Sequence, residues 1–152
     1  MGRTVLILDD SDSIRYIIRV YLMTLKLEFL DADRAERALR ILGASPVDLV
    51  IADVNMPGMN GMEFVRRVRA DDRDEVRRVP IMLLTADKSP HLETQAAEAG
   101  ATTLIHKPIG SMALTEVVCH ALNIPVPVQD ELVSPSAPAS SSGSAPGKSV
   151  GV

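Results

Sequence analysis

Carboxylates, a hydroxyl and an ammonium group stand at the ends of four short apolar runs in this chain of 152 residues. The four groups are Asp9-Asp10, Asp53, Thr85-Ala86 and Lys107-Pro108. Three neighbouring carboxylates repel one another, and an oxygen-ligated divalent cation such as Mg²⁺ supplies the compensating charge. Together with the ammonium group, the hydroxyl and the backbone N–H of Ala86, they form a set that suits phosphoryl transfer to a carboxylate nucleophile, for which Asp53 is the candidate.

The apolar runs predict the strands that bring these groups together. They are residues 5–8, 49–52, 81–84 and 103–106, mostly β-branched residues or leucine. Each run is too short for a helix and helix-like sequence separates it from the next, which indicates buried parallel strands. Because the carboxyl ends of parallel strands share one edge of a sheet, where ligand sites form, we expect the polar groups to converge there.

The remaining pattern completes an alternating α/β chain. Residues 27–32 are a plausible second strand, and an apolar stripe from Ile14 to Leu25 predicts the first helix, capped by Ser11 or Ser13. Further predicted helix boundaries are a cap at Asp33, an end at Gly43, a start at Ser89-Pro90, an end at Gly100 and a cap at Ser111. Five β/α units predict a five-stranded parallel sheet with helices on both faces.

Composition narrows the class of protein. The net charge of −4 gives no general attraction to nucleic acid or to a membrane surface. No apolar stretch approaches the roughly 20 residues that span a bilayer, and no signal peptide is recognisable. The single cysteine, Cys119, fits a reducing compartment. We therefore expect a cytoplasmic protein with a domain at residues 1–123 and a disordered Pro/Ser/Ala-rich tail at residues 124–152.

One stretch of the chain is rich in arginine. We call residues 66–78 the arginine-rich segment; its arginines are Arg66, Arg67, Arg69, Arg73, Arg77 and Arg78. Asp71, Asp72, Asp74 and Glu75 are interleaved with them. This pattern predicts a solvated, ion-paired surface and an enlarged helix-to-strand connection, not a nucleic-acid site.

The motifs together resemble those of the response-regulator receiver domain, the phosphoacceptor module of two-component signalling. The matching residues are Leu8-Asp9-Asp10-Ser11 with Arg15, the stretch from Asp53 to Gly61, Thr85-Ala86 and Lys107-Pro108. The resemblance covers roughly residues 3 to 123. It implies the (βα)5 flavodoxin-like receiver fold and a single-domain, chemotaxis-regulator-like signalling protein.

The resemblance also implies roles for the acidic residues. Asp53 matches the phosphoacceptor, which takes a phosphoryl group from a sensor histidine kinase or a phosphotransfer protein. Asp10 and Asp53 match the side-chain ligands of Mg²⁺, Asp9 acts through a water molecule, and the backbone carbonyl of Asn55 completes the protein ligands. The expected output is phosphorylation-dependent binding to a downstream protein, by a monomer or weak dimer.

Further positions match residues that detect and time the phosphoryl group. Lys107 matches the residue that pairs with phosphoryl oxygens, and Thr85 matches the switch hydroxyl. Leu104 stands where many family members carry a switch tyrosine or phenylalanine, so the usual aromatic response is absent. Asn55 and Asp87 occupy the positions that tune phosphate lifetime, and a water-orienting amide and carboxylate there predict a short-lived phosphate. Alternatively, Asp87 merely caps the next helix.

Two other functions are compatible with parts of this pattern. A constitutive binding module would need no phosphorylation, although the full set of site residues disfavours it. A Mg²⁺-dependent aspartyl phosphohydrolase would use the same nucleophile. Such enzymes generally carry a second acid or base two residues after it, where this chain has Asn55. We therefore expect a self-phosphorylating and self-dephosphorylating module without turnover of a separate substrate.

Overall fold

The apolar runs form the strands expected from the sequence, and helices alternate with them. The computed structural model describes residues 2–127. The strands are β1 (Thr4–Leu8), β2 (Glu28–Ala32), β3 (Leu49–Asp53), β4 (Ile81–Thr85) and β5 (Thr103–His106). The helices are α1 (Asp12–Tyr21), α2 (Ala35–Ala44), α3 (Gly61–Arg69), α4 (Asp74–Arg77), α5 (His91–Ala99) and α6 (Ser111–Leu122), and a short 3₁₀ helix spans Met23–Leu25.

All five strands lie parallel in one sheet, in the order β2-β1-β3-β4-β5. The chain passes from β1 outward to β2 and then returns to the other side of β1 to form β3. The direction of winding therefore reverses between β1 and β3, which pair with Leu8 opposite Ala52. This arrangement confirms the flavodoxin-like receiver fold, and it places a crevice at the ends of β1 and β3.

Side-chain alternation along the strands divides the core between the two faces of the sheet. One cluster contains Leu6, Leu8, Val50, Ala52 and Leu83 and packs against α2, α3 and α5. The other contains Val5, Ile7, Leu49, Ile51, Met82 and Leu84 and packs against α1 and α6. Since β1, β3 and β4 are covered on both faces, their sequences are apolar except for one polar residue at an end of each strand.

The observed helix caps agree less well with the sequence-based predictions than the strands do. The Ser11 hydroxyl accepts from the N–H of Ile14 at 3.2 Å, which confirms one predicted cap. Gly100 ends α5 in the left-handed region at φ 104°, also as predicted. The predicted caps at Asp33 and Ser111 are wrong, because extended backbone at Arg34 and Gly110 makes those residues the N-caps.

The predicted end of α2 at Gly43 is also placed differently, since the helix continues to Ala44 and Ser45 is its C-cap. Gly43 is thus the penultimate residue of the helix and not its terminator. The start at Ser89-Pro90 is shifted in the same way, because Pro90 is the N-cap and His91 begins α5.

The arginine-rich segment holds an added short helix, α4, which confirms the enlarged connection between α3 and β4. Most of its arginines are exposed, but Arg69 is not a solvated ion-pair residue. Its guanidinium donates to the carbonyl oxygens of Gly100 (2.8 Å), Arg77 (2.7 Å) and Val79 (2.7 Å). Arg69 therefore fastens α3 to three neighbouring parts of the backbone.

The predicted tail falls mostly outside the described residues, which end at Pro127. Ile124 packs against the core on the α1 and α6 face. None of the helices within residues 2–127 has the length and hydropathy of a membrane span.

Candidate functional site

Three carboxylates meet at the crevice between β1 and β3. Asp9 and Asp10 follow β1, and Asp53 is the last residue of β3. One carboxylate oxygen from each lies within 4.8 Å of the others. Asp9 is 3% exposed and Asp53 9% exposed, whereas Asp10 faces solvent. We call these three residues the acidic cluster. It is accessible to solvent at Asp10 and covered at Asp9 and Asp53.

Lys107 brings positive charge to the acidic cluster from the end of β5. Its Nζ lies 3.2 Å from Oδ1 of Asp53 and 3.8 Å from Oδ2 of Asp9. The lysine side chain is 17% exposed, so its stem is covered while its ammonium reaches the crevice. One ammonium group cannot neutralise three carboxylates, and the cluster keeps a net negative charge.

The pKa values of the two buried carboxyls are shifted in the same direction, mainly by burial. Burial raises the pKa of Asp9, against an opposing hydrogen bond from the Ser11 N–H (2.9 Å), and the nearby Asp53 charge raises it further. Burial also raises the pKa of Asp53, against the opposing effect of Lys107. Proton binding to either carboxyl is favoured mainly because burial disfavours the charged form.

The donor set at the crevice fits a hard divalent cation. All three side chains offer oxygen atoms, and no thiol or imidazole belongs to the group that the described residues form. Mg²⁺ prefers a few carboxylates and keeps several waters, which matches one exposed rim and two buried ligands. Asn55 is exposed and lies two residues after Asp53.

Thr85 is the last residue of β4, the strand next to β3. Its side chain is fully buried and its hydroxyl oxygen accepts from the Asp87 N–H at 3.0 Å. The Thr85 carbonyl accepts from the Lys107 N–H at 2.7 Å, so β4 and the start of the Lys107 loop are tied together. Ala86 follows at an exposed position.

Asp87 is exposed and does not cap α5. Its carboxylate accepts from the backbone N–H (2.9 Å) and the hydroxyl (2.7 Å) of Ser89. These hydrogen bonds lower the pKa of Asp87, so it is ionised at neutral pH. The alternative interpretation of Asp87 as the helix cap is therefore wrong, because its oxygens are used in the turn that precedes the helix.

Leu104, the predicted switch position, lies in the middle of β5 opposite Leu83 of β4. It is half-buried and packs against the cluster that covers the α2, α3 and α5 face. A change of rotamer there would alter contacts with this face without exposing a ring or a hydroxyl group.

Sequence reasoning named Arg15 as a matching residue without giving it a role. Its guanidinium donates to the Asp9 carbonyl oxygen, to Asp12 and, at 3.3 Å, to Oδ2 of Asp31. Asp31 also accepts from Arg19 at 2.6 Å. Arg15 thus anchors the backbone that presents Asp9 and Asp10, and its position one helical turn into α1 was the available signal.

Gly61 is a second residue whose role the sequence did not reveal. A Cβ at this position would lie 2.6 Å from the Asp53 carbonyl oxygen and 2.8 Å from the Cα of Val54. The Gly61 N–H donates to the Val54 carbonyl at 2.8 Å, and Asn60 caps α3 through the Glu63 N–H at 2.9 Å. Only glycine lets α3 begin this close to the end of β3.

Known proteins share this sequence and arrangement. The family model described as the response regulator receiver domain matches residues 5–119. Chemotaxis protein CheY of Pseudomonas aeruginosa is 34% identical over 115 residues, covering 75% of this chain and 91% of that protein. PhoB of the same bacterium, a phosphate regulon transcriptional regulatory protein, is 35% identical over 115 residues, covering 75% of this chain and 49% of its own length.

Solved structures agree with the sequence matches. Chemotaxis response regulator CheY4 of Vibrio cholerae superposes with a TM-score of 0.73 at 33% identity. The superposition covers 80% of this chain and 100% of that structure.

Proposed function

Because the chain belongs to the response regulator receiver domain family, we propose that Asp53 accepts a phosphoryl group from a sensor histidine kinase or a phosphotransfer protein. The phosphorylated domain then signals by binding a downstream protein. The observation that supports this most is the position of Asp53, a buried carboxylate with an ammonium group 3.2 Å away and two further carboxylates beside it. The receiver is assigned to residues 1–123 and the tail to residues 124–152.

The transfer is a displacement at phosphorus. An oxygen of the Asp53 carboxylate forms a bond to phosphorus while the P–N bond of a phosphohistidine breaks. The electron pair of that bond stays on the imidazole nitrogen, and the product on this chain is an acyl phosphate. Lys107 would hold the phosphoryl oxygens during and after the transfer. The 3.2 Å distance from its Nζ to Asp53 supports this role, since charge-assisted hydrogen bonds to anionic oxygens are strong.

Asp10 and Asp53 would hold Mg²⁺ through their side chains, with Asp9 acting through water and the Asn55 carbonyl as the remaining protein ligand. When bound, the ion supplies charge compensation for the carboxylates and the phosphoryl oxygens. Arg15 keeps the Asp9 backbone in place while this charge changes.

The signal leaves the site through Thr85 and Leu104. The Thr85 hydroxyl accepts from the Asp87 N–H, so its own proton can be donated to a phosphoryl oxygen on Asp53. This new bond would pull on the Thr85 to Asp87 segment, and Leu104 in the adjacent strand would repack. Asn55 and Asp87 would orient the water that attacks the acyl phosphate and returns Asp53 to the free carboxylate.

The proposed activity is self-phosphorylation and self-dephosphorylation without a separate substrate. We place the protein in the cytoplasm, where kinase domains and small phosphodonors are available, and we expect a monomer or weak dimer. Nucleic acid and membranes are not expected partners, because the net charge is −4 and the arginine-rich segment is largely neutralised by its own acidic residues.

The experiment is intact-protein mass spectrometry after exposure to acetyl phosphate and Mg²⁺. We expect a single phosphate adduct on the wild-type chain and none on Asp53→Ala. Asp72→Ala, which removes an exposed carboxylate in the arginine-rich segment, is the matched control and should be phosphorylated normally. EDTA should prevent the adduct on both the wild type and the control.

Other outcomes would replace the proposal. A wild-type chain that binds Mg²⁺ but gains no phosphate would indicate a constitutive binding module. An adduct on both the wild type and Asp53→Ala would identify another nucleophile. Steady release of phosphate from small phosphate esters would indicate a phosphohydrolase.

A further inference from the structure

The chain doubles back after α6. Asn123 adopts the left-handed conformation at φ 59°, and the Ile124 N–H donates to the Cys119 carbonyl at 3.0 Å. The Cys119 thiol then donates to the Pro125 carbonyl at 3.6 Å. These contacts turn residues 124–127 back along α6, toward the end of that helix at which it began.

The returning chain forms one wall of a groove with a volume of about 380 Å³. We call it the α1–α6 groove. Its lining residues share a position at the end of α1, the start of α6 or the returning chain: Val20, Tyr21, Met23, Thr24, Ser111, Met112, Thr115, Val126 and Pro127. The Thr115 hydroxyl of α6 donates to the Tyr21 carbonyl of α1 at 3.2 Å, which links the two helices at the groove.

Exposed apolar side chains concentrate at this groove. Val20 (39% exposed), Met23 (63%), Met112 (47%) and Val126 (40%) all line it. Tyr16 (67% exposed) lies one turn before Val20 on the same side of α1. These five are the large exposed hydrophobic residues within residues 2–127. A contiguous exposed apolar patch of this kind marks a binding surface.

A buried polar atom lies in the same place. The hydroxyl oxygen of Tyr21 is buried and has no hydrogen-bond partner among residues 2–127. Buried hydroxyl groups are nearly always hydrogen-bonded. Tyr21 lines the groove, and the exposed methionine side chains of the groove have no apolar cover among residues 2–127.

We propose that residues 128–133 of this chain occupy the α1–α6 groove. The described chain already enters it at Val126 and Pro127, so the next residues need no long loop to reach it. Val128, Leu132 and Val133 supply the apolar side chains, and the residues after Val133 as far as Ser149 are Ser, Pro, Ala, Gly and Lys. Six extended residues span about 20 Å, enough to pass Val20 and reach Tyr16.

Charge also favours this occupant. Asp130 and Glu131 lie between the apolar residues of the segment. A second cavity on the other side of Pro127 is lined by Arg3 and Lys26, both exposed. These two cations lie beside one margin of the groove, since Thr24 and Pro127 line both cavities, and they attract an acidic segment that starts at Pro127. The docked segment would compete with any protein that binds this surface of α1.

Methionine-methyl NMR on the full-length chain tests the proposal, because Met23 and Met112 line the groove, whereas Met82 is buried in the core and does not line it. We expect the Leu132→Asp/Val133→Asp variant to shift the methyl signals of Met23 and Met112 and leave Met82 unchanged. The matched control, Ser140→Asp/Ser141→Asp, adds the same charge farther along the chain and should move none of the three.

Two results would overturn the proposal. Unchanged Met23 and Met112 signals in the Leu132→Asp/Val133→Asp variant would show that the segment does not contact them. Wild-type signals that move with protein concentration, together with a dimer in sedimentation, would show that a second copy covers the groove. Neither result bears on the phosphorylation of Asp53, which the mass measurement tests separately.

Discussion

The acidic cluster and the Arg69 site both hold charged groups away from water, and they differ in how completely the protein compensates that charge. The guanidinium of Arg69 donates to three backbone carbonyls at 2.7 to 2.8 Å. At the acidic cluster, one lysine faces three carboxylates. Burial lowers the pKa of Arg69 and raises those of Asp9 and Asp53, so both sites bear a desolvation penalty, but only the first has a full set of partners.

The contrast separates a structural charge from a functional one. Arg69 joins α3 to the end of α5 and to the segment before β4, and its hydrogen bonds need no further ligand. The acidic cluster is left with excess negative charge that a cation or a proton can relieve. We therefore expect substitutions at Arg69 to reduce stability, and substitutions in the cluster to reduce ligand binding while sparing or increasing stability.

The largest effect is expected at Arg69. Replacing it in Arg69→Met leaves three carbonyl oxygens without their donor and should lower the free energy of unfolding by about 3 kcal/mol. Urea denaturation measures this change. The matched variant Arg66→Met removes an exposed arginine from the same helix and should alter stability by less than about 0.5 kcal/mol. Equal losses in the two variants would mean that the hydrogen bonds of Arg69 do not stabilise the domain.

The next effect is on cation binding. Asp10→Asn removes a full negative charge from a proposed direct ligand and should weaken Mg²⁺ binding by at least roughly 100-fold, since loss of a residue that only supports a ligand already costs about 10- to 100-fold. Isothermal titration calorimetry measures the affinity, with Asp72→Asn as the matched control. Unaltered Mg²⁺ affinity in Asp10→Asn would place the cation elsewhere.

The third prediction concerns pH in the absence of metal. Because the pKa of Asp53 is raised in the folded state, folding favours its protonated form. The stabilisation that protonated Asp53 gives the folded state is complete below the pKa of Asp53 in the unfolded chain, about 3.9. It is lost as the pH rises through the higher pKa of Asp53 in the folded protein. Asp53→Asn should therefore be more stable than wild type at pH 7, by about 1 kcal/mol, with a smaller advantage at pH 4.

Urea denaturation at the two pH values, with EDTA present, measures the difference. The same substitution at exposed Asp72 is the matched control. If metal-free Asp53→Asn were less stable than the wild type at pH 7, this would contradict the view that the negative charge of the acidic cluster is not fully compensated.

The smallest effect is expected on the lifetime of the phosphate. Asp87→Leu replaces a carboxylate that could orient water with an apolar side chain and should slow loss of the phosphate several-fold. Loss of the hydrogen bond from the Ser89 hydroxyl is a separate consequence, which Ser89→Ala reproduces while keeping the carboxylate and the bond from the backbone N–H. Decay of the phosphorylated mass after removal of phosphodonor measures both. Equal decay rates for wild type and Asp87→Leu would exclude a role for Asp87 in timing.

The same comparison explains what the sequence could predict. Asp9, Asp53 and Lys107 each follow an apolar strand, and parallel strands necessarily bring their ends to one edge, so the cluster was foreseeable from local pattern. Arg69 was not, because six arginines in one segment share the same polar surroundings. Which of them turns inward depends on where the carbonyls of Gly100 and Val79 lie, which only the packed fold determines.

Gly61 and the misplaced helix caps have a similar explanation. The turn-rich loop after Asp53 was evident, but the 2.6 Å approach of a Cβ at Gly61 to the Asp53 carbonyl depends on the angle at which α3 leaves the loop. Asp33 has the residue type of a cap, yet the extended backbone falls one residue later, at Arg34. Side-chain type identified candidates, whereas tertiary packing chose among them.

The identity of the phosphorylated residue is the most direct test of this account. Borohydride reduces an acyl phosphate to an alcohol, so a phosphorylated aspartate becomes homoserine, which peptide sequencing by mass spectrometry can locate. After treatment of the wild-type chain with acetyl phosphate and Mg²⁺, we predict homoserine at position 53 and unmodified aspartate at positions 9 and 10. Homoserine at position 9 or 10, with Asp53 intact, would contradict it.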